Sequence, residues 1–163
     1  WGYMQGKSIE SVHMLYSKQT LGVKRSTQND FIYGELGRMN FLALRHYNVL
    51  KYWTKVIYTD NNKYINKVYI MMKKELELHP SRQNWCSLLR DILCTLGFYE
   101  VWLFQDVGHV DLFLKNVKQR IQDQFKQNWR GRLQDSSRAL FYNHIASFTF
   151  QPYLDFVDIF KFI

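Results

Sequence analysis

VGHVDLFLKNVKQRIQDQFKQNWRGRLQD, residues 107–135, is the stretch that decides the predicted fold class. Its apolar side chains recur every four residues, at Phe113, Val117, Ile121, Phe125, Trp129 and Leu133. This spacing predicts one long helix with an apolar stripe. Steps of four overshoot a helical turn by about 40°, so the stripe winds around the helix. We therefore expect the helix to contact partners on more than one side, or to bend near Gly131.

Helical periodicity extends over nearly the whole chain, and strand-like alternation is not sustained anywhere. The segment 98–105 is apolar and is compatible with an extended or a helical conformation. We predict an all-α, multi-helix bundle made of one domain or of two small helical subdomains. The predicted helices are Ser8–Gly22 with Ile9, Val12, Leu15 and Tyr16 on one apolar face, Asn29–Leu36, Asn40–Thr59, a helix after the Asn61-Asn62 turn to His79, Trp85–Leu96, Ser137–Ser147 and Pro152–Lys161. Asn29 and Asn40 are the predicted N-caps of the second and third of these helices.

The two cysteines, Cys86 and Cys94, lie eight residues apart in one predicted helix. Their Cα atoms would then be about 12 Å apart, whereas a disulfide requires less than about 7 Å. We expect reduced thiols that pack as small apolar groups, which is typical of an intracellular protein. No run of apolar residues is long enough to span a bilayer, so we expect no membrane association.

The net charge of +8 is concentrated in two blocks. Residues 7–55 carry eight Lys or Arg against three acids, and residues 115–138 carry seven against two. In the long helix the basic side chains are largely out of phase with the apolar stripe, so they are predicted to face solvent or a ligand. Two basic blocks on an otherwise neutral chain favour a polyanionic partner, and nucleic acid is the commonest intracellular polyanion.

Catalytic motifs are missing from the sequence. No two of its fourteen acidic residues are adjacent, and Tyr58-Thr59-Asp60 is the nearest approach to a polymerase aspartate pair. The five histidines lie in different segments without metal-ligand spacing, and no phosphate-binding glycine loop is present. We predict a chain that is not an enzyme on its own and that has no metal, cofactor or small-molecule substrate.

Short Gly, Trp and Arg motifs occur in a fixed order along the chain. They are Trp1-Gly2, Leu21–Lys24, Tyr33–Arg38, Tyr52-Trp53, Leu96–Phe98 with Trp102, and Ser136–Arg138 with Tyr142. In order and spacing, residues 1–155 resemble the region that follows the reverse transcriptase domain in invertebrate non-LTR (LINE-like) retrotransposon polyproteins. The chain starts at Trp1 and ends on the apolar stretch Phe160–Ile163, so we expect a piece of a larger polyprotein.

The resemblance implies a thumb-like helical segment over residues 1–60 and a helical connecting region over 61–163, or one continuous domain 1–163. It implies a part of an RNA-directed DNA polymerase that positions RNA or an RNA/DNA hybrid for target-primed reverse transcription. The catalytic palm and its Mg²⁺ would lie outside this chain. The implied partners are RNA, the hybrid and the remainder of the polyprotein, and the implied location is cytoplasmic and nuclear. The Cys and His cluster that usually follows in the family is not in this chain.

Ten basic residues are the predicted nucleic-acid-binding set. They are Lys18, Lys24, Arg25, Arg45, Lys51, Lys55, Lys126, Arg130, Arg132 and Arg138. The first three match a basic helix and loop that the family carries ahead of its Gly-Glu-Leu-Gly-Arg turn, here Gly34–Arg38. The alternative interpretation of the basic side chains is a solvated helix face. For the turn itself we favour a helix stop at Gly37, with Glu35 paired to Arg38 or Arg45, over ligand contact.

Five aromatic residues have two interpretations, base stacking and core packing, and their positions on apolar stripes or beside glycine turns favour packing. They are Tyr52, Trp53, Trp85, Trp102 and Trp129. A different function class also remains open. The aromatic segment Phe150–Ile163 is typical of a docking surface, so the chain is alternatively a helical protein-interaction module.

Overall fold

The computed structural model describes residues 6–60 and 62–156 of the chain. Over these residues it contains only helices and connecting segments, which confirms the predicted all-α fold class. The α-helices are α1 (Gly6–Thr20), α2 (Asn29–Leu36), α3 (Phe41–Ile57), α4 (Tyr64–Leu78), α5 (Trp85–Thr95), α6 (Tyr99–Phe104), α7 (Val110–Gln134) and α8 (Tyr142–Ile145), with 3-10 helices at Ser137–Ala139 and Pro152–Phe156.

The chain divides into two compact units, of which the first is made of two separate stretches of sequence and the second of one continuous stretch. Unit 1 comprises Trp1–Leu44 and Gln122–Ile163, and unit 2 comprises Arg45–Ile121. Helices α3 and α7 each contribute residues to both units. The predicted boundary near residue 60 lies inside unit 2, because the C-terminal half of α7 packs with the N-terminal segment of the chain.

The apolar stripe of α7 forms a large part of the core. All six of its predicted residues are buried, and Val117, Trp129 and Leu133 are at most 1% exposed. In unit 1 the stripe packs with Tyr33 of α2, since the rings of Tyr33 and Phe125 meet edge to face with their centroids 5.5 Å apart. The prediction of a long helix that is buried along its whole stripe is confirmed.

Helix α1 presents a different face to the core from the one predicted. Ile9, Val12 and Tyr16 are exposed, whereas Met14 and Ser17 are buried. The buried face is fixed by a polar contact: one Glu10 carboxylate oxygen accepts from the Tyr33 hydroxyl at 2.5 Å and the other from the Phe41 backbone N–H at 2.7 Å. Because α3 begins at Phe41, the Glu10 carboxylate also satisfies an unpaired N–H at the start of that helix.

The N-terminus of α3 confirms a predicted cap. The Asn40 side-chain oxygen accepts from the Ala43 backbone N–H at 2.9 Å. The predicted cap of α2 is wrong by one residue, since Asn29 is already helical and Gln28 occupies the cap position without a side-chain cap bond. At the other end of α2, Gly37 has φ of 59° and ends the helix, as predicted.

The Gly34–Arg38 turn is closed by a segment far along the chain. The Gln151 backbone N–H donates to the Glu35 carbonyl at 3.1 Å, and the Tyr153 hydroxyl donates to the Glu35 carboxylate. The sequence predicted a pairing of Glu35 with Arg38 or Arg45 and gave no indication of this contact with the C-terminal segment. A Cβ atom on Gly37 would lie 2.6 Å from the Phe150 backbone nitrogen, which explains why the turn requires glycine there.

The sequence left the conformation of segment 98–105 undecided and predicted one continuous helix where the structure has two near the C-terminus. The undecided segment 98–105 is helical as α6. The predicted helix Ser137–Ser147 is divided into a 3-10 helix at Ser137–Ala139 and the short α8. Asn61 of the predicted turn and residues 157–161 of the last predicted helix lie outside the described residues.

Unit 2 is organised around a buried tyrosine on α4. The Tyr69 hydroxyl accepts from the Trp53 indole N–H at 2.9 Å and donates to the Gln105 side-chain oxygen. Burial raises the pKa of Tyr69 to about 12, so the hydroxyl keeps its proton at neutral pH and remains a donor to Gln105. Helix α5 starts with a capping box between Asn84 and Ser87, and Gly97 follows its end with φ of 78°.

The two cysteines have different surroundings. Both are free thiols, as predicted, but only Cys86 is buried, and Cys94 on the same helix is exposed. Burial raises the pKa of the Cys86 thiol to about 11. The expectation that both thiols pack as apolar groups therefore holds for Cys86 and is wrong for Cys94.

We expect this difference to appear as selective alkylation. At pH 8, iodoacetamide should modify Cys94 rapidly and Cys86 only after denaturant is added, because the buried thiol is both protonated and inaccessible. Intact-mass spectrometry with peptide mapping measures the order. A Cys94→Ser variant should show no modification in the native state, and rapid alkylation of that variant would contradict the packing of α5.

Two helical glycines form a matched pair for a second prediction. A Cβ atom on Gly34 would lie 2.5 Å from the Tyr142 hydroxyl oxygen and 2.7 Å from Trp129 Cζ2, whereas a Cβ atom on Gly131 would meet nothing within 4 Å. Gly34→Ala should lower the free energy of unfolding by about 1–3 kcal/mol through overpacking. Gly131→Ala should raise it by up to about 1 kcal/mol.

Urea denaturation followed by circular dichroism measures both changes. The two variants share the same substitution and the same secondary structure, so only the surroundings of the added methyl group differ. Equal stability of the two variants would contradict the close approach of Tyr142 and Trp129 to α2.

Candidate nucleic-acid interface

The two basic blocks of the sequence meet in unit 1, where the loop before α2 contacts the end of α7. Ser136 Oγ donates to Gln28 Oε1 at 3.0 Å. The Trp129 indole N–H donates to the Asp30 backbone carbonyl at 2.7 Å. The Arg132 guanidinium contacts one Asp30 carboxylate oxygen through Nε at 2.9 Å and through Nη2 at 2.8 Å. We call these contacts between Gln28, Asp30, Trp129, Arg132 and Ser136 the α2–α7 junction.

Exposed cations flank the α2–α7 junction on both sides. Lys24 and Arg25 lie in the loop that leads into Gln28, and that loop is closed by a bond from the Thr27 backbone N–H to the Lys24 carbonyl at 2.9 Å. Arg138 follows Ser136 in the adjacent 3-10 helix, and its side chain is exposed. The contacts of the junction therefore place cations from both sequence blocks at one end of unit 1.

Three of the predicted binding residues are engaged within unit 1. Lys18 Nζ donates to the Arg25 carbonyl at 3.0 Å and so holds the loop after α1. Lys126 Nζ lies 5.9 Å from the centroid of the Phe148 ring, in a cation–π contact. Arg132 pairs with Asp30, whose side chain is only 11% exposed. These three cations have a role in the fold, whatever else they contact.

The α7 residue Arg130 is exposed and belongs to unit 1. It lies one position after the buried Trp129, so its side chain leaves the helix on another side from the junction contacts. Arg130 carries the same charge as Arg132 but a different environment, which makes it a useful control for the ion pair.

The remaining predicted residues lie in unit 2, on α3. Lys51 and Lys55 are exposed one helical turn apart, and Arg45 is half-buried. The neighbouring His46 has its pKa lowered by burial and, to a smaller extent, by Arg45, so it adds no positive charge at neutral pH. These three residues share a unit with one another but not with Lys24, Arg25 and Arg138.

Some exposed cations were not in the predicted set. Lys115, Lys118 and Arg120 are exposed on the first half of α7, in unit 2. The sequence could have indicated their exposure, because their positions in the helix are out of phase with the buried Phe113 and Val117. Residues that are out of phase with a buried stripe are the natural candidates for a solvated or ligand-facing surface.

Core packing is confirmed for three of the aromatic candidates, since Trp53, Trp102 and Trp129 are buried. Tyr52 is half exposed, and its ring meets Trp85 edge to face with centroids 5.9 Å apart. The most exposed ring in the described part of the chain belongs instead to Phe141, at 90%. Sequence periodicity gave no reason to single out Phe141, because it lies in a turn outside the helical pattern.

The described residues contain neither a metal site nor a membrane-spanning helix. Within 6–60 and 62–156, no group of three His, Cys, Asp or Glu side chains is placed to hold a metal ion. None of the described helices combines the length and the apolar character needed to cross a bilayer. No model of a known protein family, no curated protein and no solved structure matches the chain.

The α2–α7 junction generates a stability prediction. Arg132→Ala leaves the nearly buried Asp30 carboxylate without its guanidinium partner, so we expect the free energy of unfolding to fall by about 1–3 kcal/mol. Arg130→Ala removes the same charge from an exposed position of the same helix and should change the free energy by less than about 0.5 kcal/mol. Urea denaturation at neutral pH compares the two variants.

Arg132→Lys tests the geometry of the pair. Lysine keeps the charge but lacks the planar guanidinium that contacts the carboxylate with two nitrogens, so its stability should lie between those of the wild type and Arg132→Ala. If Arg132→Ala were as stable as Arg130→Ala, the ion pair would have no structural role and Arg132 would return to the set of free cations.

Proposed function

We propose that the chain is a non-catalytic, nucleic-acid-binding helical module that holds RNA or an RNA/DNA hybrid through its phosphate backbone. The observation that carries this proposal is the α2–α7 junction, which brings Lys24 and Arg25 to the same end of unit 1 as Arg138. Cations from two blocks that are distant in the sequence then contact the same segment of the ligand. Contacts to phosphates give affinity with little sequence preference.

The family resemblance supplies the context of the proposal. In a LINE-like retrotransposon polyprotein the module would act as the thumb and connecting region, positioning the duplex for target-primed reverse transcription. Residues of the absent palm would bind Mg²⁺ and perform the polymerase chemistry. The helical fold and the packing of the Gly34–Arg38 turn agree with such a scaffold role, in which the motif glycines serve the fold and the exposed cations contact the ligand.

A second candidate function has a separate observation in its favour. Leu140, Ile145, Phe150 and Tyr153 are exposed in unit 1, and apolar residues exposed together are typical of a protein-docking surface. The chain would then be an interaction module whose cations only keep it soluble. Of the predicted docking segment, residues 157–163 lie outside the described residues.

Fluorescence anisotropy with a labelled RNA/DNA hybrid tests the leading proposal. A variant with Lys24, Arg25 and Arg138 changed to Ala should bind more weakly, and the slope of log Kd against log salt should fall by up to about 3. The matched control changes three exposed lysines of unit 2 to Ala: Lys63 at the N-cap of α4, and Lys67 and Lys74 within α4. It removes the same net charge and should lose much less affinity.

Two results would overturn the proposal. Absence of binding by wild-type protein that is folded by circular dichroism would favour the protein-docking module. Equal losses in the two triple variants would show that only the total charge matters, and that the α2–α7 junction does not define an interface.

A further inference from the structure

Phe141 is displayed at the surface of unit 1 by a backbone that is anchored on both sides. Before it, Ala139 is fully buried. After it, the Tyr142 hydroxyl donates to the Phe31 carbonyl at 3.3 Å, and the two rings pack with centroids 4.7 Å apart. The Phe141 ring itself is 90% exposed. Phe141 is therefore exposed although Ala139 and Tyr142, on either side of it, are packed within unit 1.

Leaving a phenylalanine in water forgoes about 1.5–3 kcal/mol of burial free energy. Phe141 is close in sequence to the exposed Leu140 and Ile145, and apolar residues exposed together are typical of an interaction surface.

The surroundings of Phe141 indicate the charge of a partner at this surface. Residues 126–146 contain four Lys or Arg against a single acid, Asp135. Lys126 and Arg132 are engaged inside unit 1, so Arg130 and Arg138 are the exposed cations that remain in this stretch. Arg138, three positions before Phe141, is exposed on the same turn.

A basic surface with an exposed aromatic ring fits single-stranded nucleic acid better than a protein. Cations follow the sugar-phosphate backbone, while the ring stacks on an unpaired base, and every base offers a π-face. The core of a protein interface is instead depleted in charged residues. Paired bases inside a duplex are already stacked on each other, so the ring selects an unpaired segment.

We infer that Phe141 is a stacking platform for an unpaired base of single-stranded RNA or DNA, with Arg138 contacting an adjacent phosphate. This inference rests on the proposed function and deepens it, because it assigns the ligand a single-stranded segment beside the duplex. The proposed site does not involve the tryptophans Trp53, Trp102 and Trp129, whose rings are buried in the core.

Abasic oligonucleotides separate stacking from phosphate contact. A labelled single-stranded 12-mer and a 12-mer with the same backbone but abasic sites are titrated with the full chain by anisotropy. Wild-type protein should bind the base-containing strand about 5- to 150-fold more tightly than the abasic strand, the range found for stacking of one base on one aromatic ring. Phe141→Ala should lose this preference while its affinity for the abasic strand stays unchanged.

Ile145→Ala is the matched control, because Ile145 is an apolar residue of the neighbouring helix α8 that is 78% exposed and has no π-face. It should retain the wild-type preference for the base-containing strand, as should Phe141→Tyr. All variants are exposed substitutions, and circular dichroism with urea denaturation checks that each is as stable as the wild type.

The outcomes separate the inference from the proposed function. If the wild type binds both strands and Phe141→Ala keeps the preference, the inference is overturned and the proposed function stands. If the wild type binds neither strand nor the hybrid, both are overturned. If Phe141→Ala and Ile145→Ala lose affinity for both strands alike and also reduce self-association in sedimentation, the patch is a protein-docking surface and the inference is overturned.

Discussion

Unit 1 depends on the contacts that Asp30 makes with α7. The Asp30 carbonyl accepts from the Trp129 indole and its carboxylate pairs with Arg132, so one residue satisfies both a buried N–H and a cation. Because these partners are about a hundred positions away in sequence, the contact closes the N-terminal helices against the end of α7. The surface that carries Lys24, Arg25 and Arg138 exists only while this closure holds.

The motif glycines of the Gly34–Arg38 turn have a structural role. Gly34 lies against Trp129 and Tyr142, and Gly37 lies against the backbone of residues 149–150. The Tyr33 hydroxyl in the same turn bonds Glu10, and burial first and this bond second raise the pKa of Tyr33 above its ordinary value. The motif is thus a packing centre on which three chain segments converge.

The sequence predicted the fold class, the α7 stripe and the stop at Gly37, because each of these follows from local periodicity or backbone conformation. It mispredicted the face of α1, since Ile9, Val12 and Tyr16 form as regular an apolar stripe as any that is buried. What selects the other face is the Glu10 contact with Tyr33 and Phe41, and no local pattern encodes such long-range partners. The candidate site could be predicted only in part. The helical phase of the basic residues identified exposed cations, but no local pattern indicated that Arg132 pairs with Asp30.

The ten predicted cations are therefore not equivalent, and the net charge overstates the charge that unit 1 has for a ligand. Lys18, Lys126 and Arg132 already contact a carbonyl, a ring and a carboxylate, and moving them to a phosphate requires breaking those contacts. Lys24, Arg25, Arg130 and Arg138 carry no such cost. Since each neutralised phosphate adds to the salt dependence, the slope of log Kd against log salt for unit 1 should reflect its exposed cations without such contacts, these four among them, and not its total of basic side chains. A steeper slope would require the internally engaged cations to change partners, which would couple nucleic-acid binding to rearrangement of the α2–α7 junction.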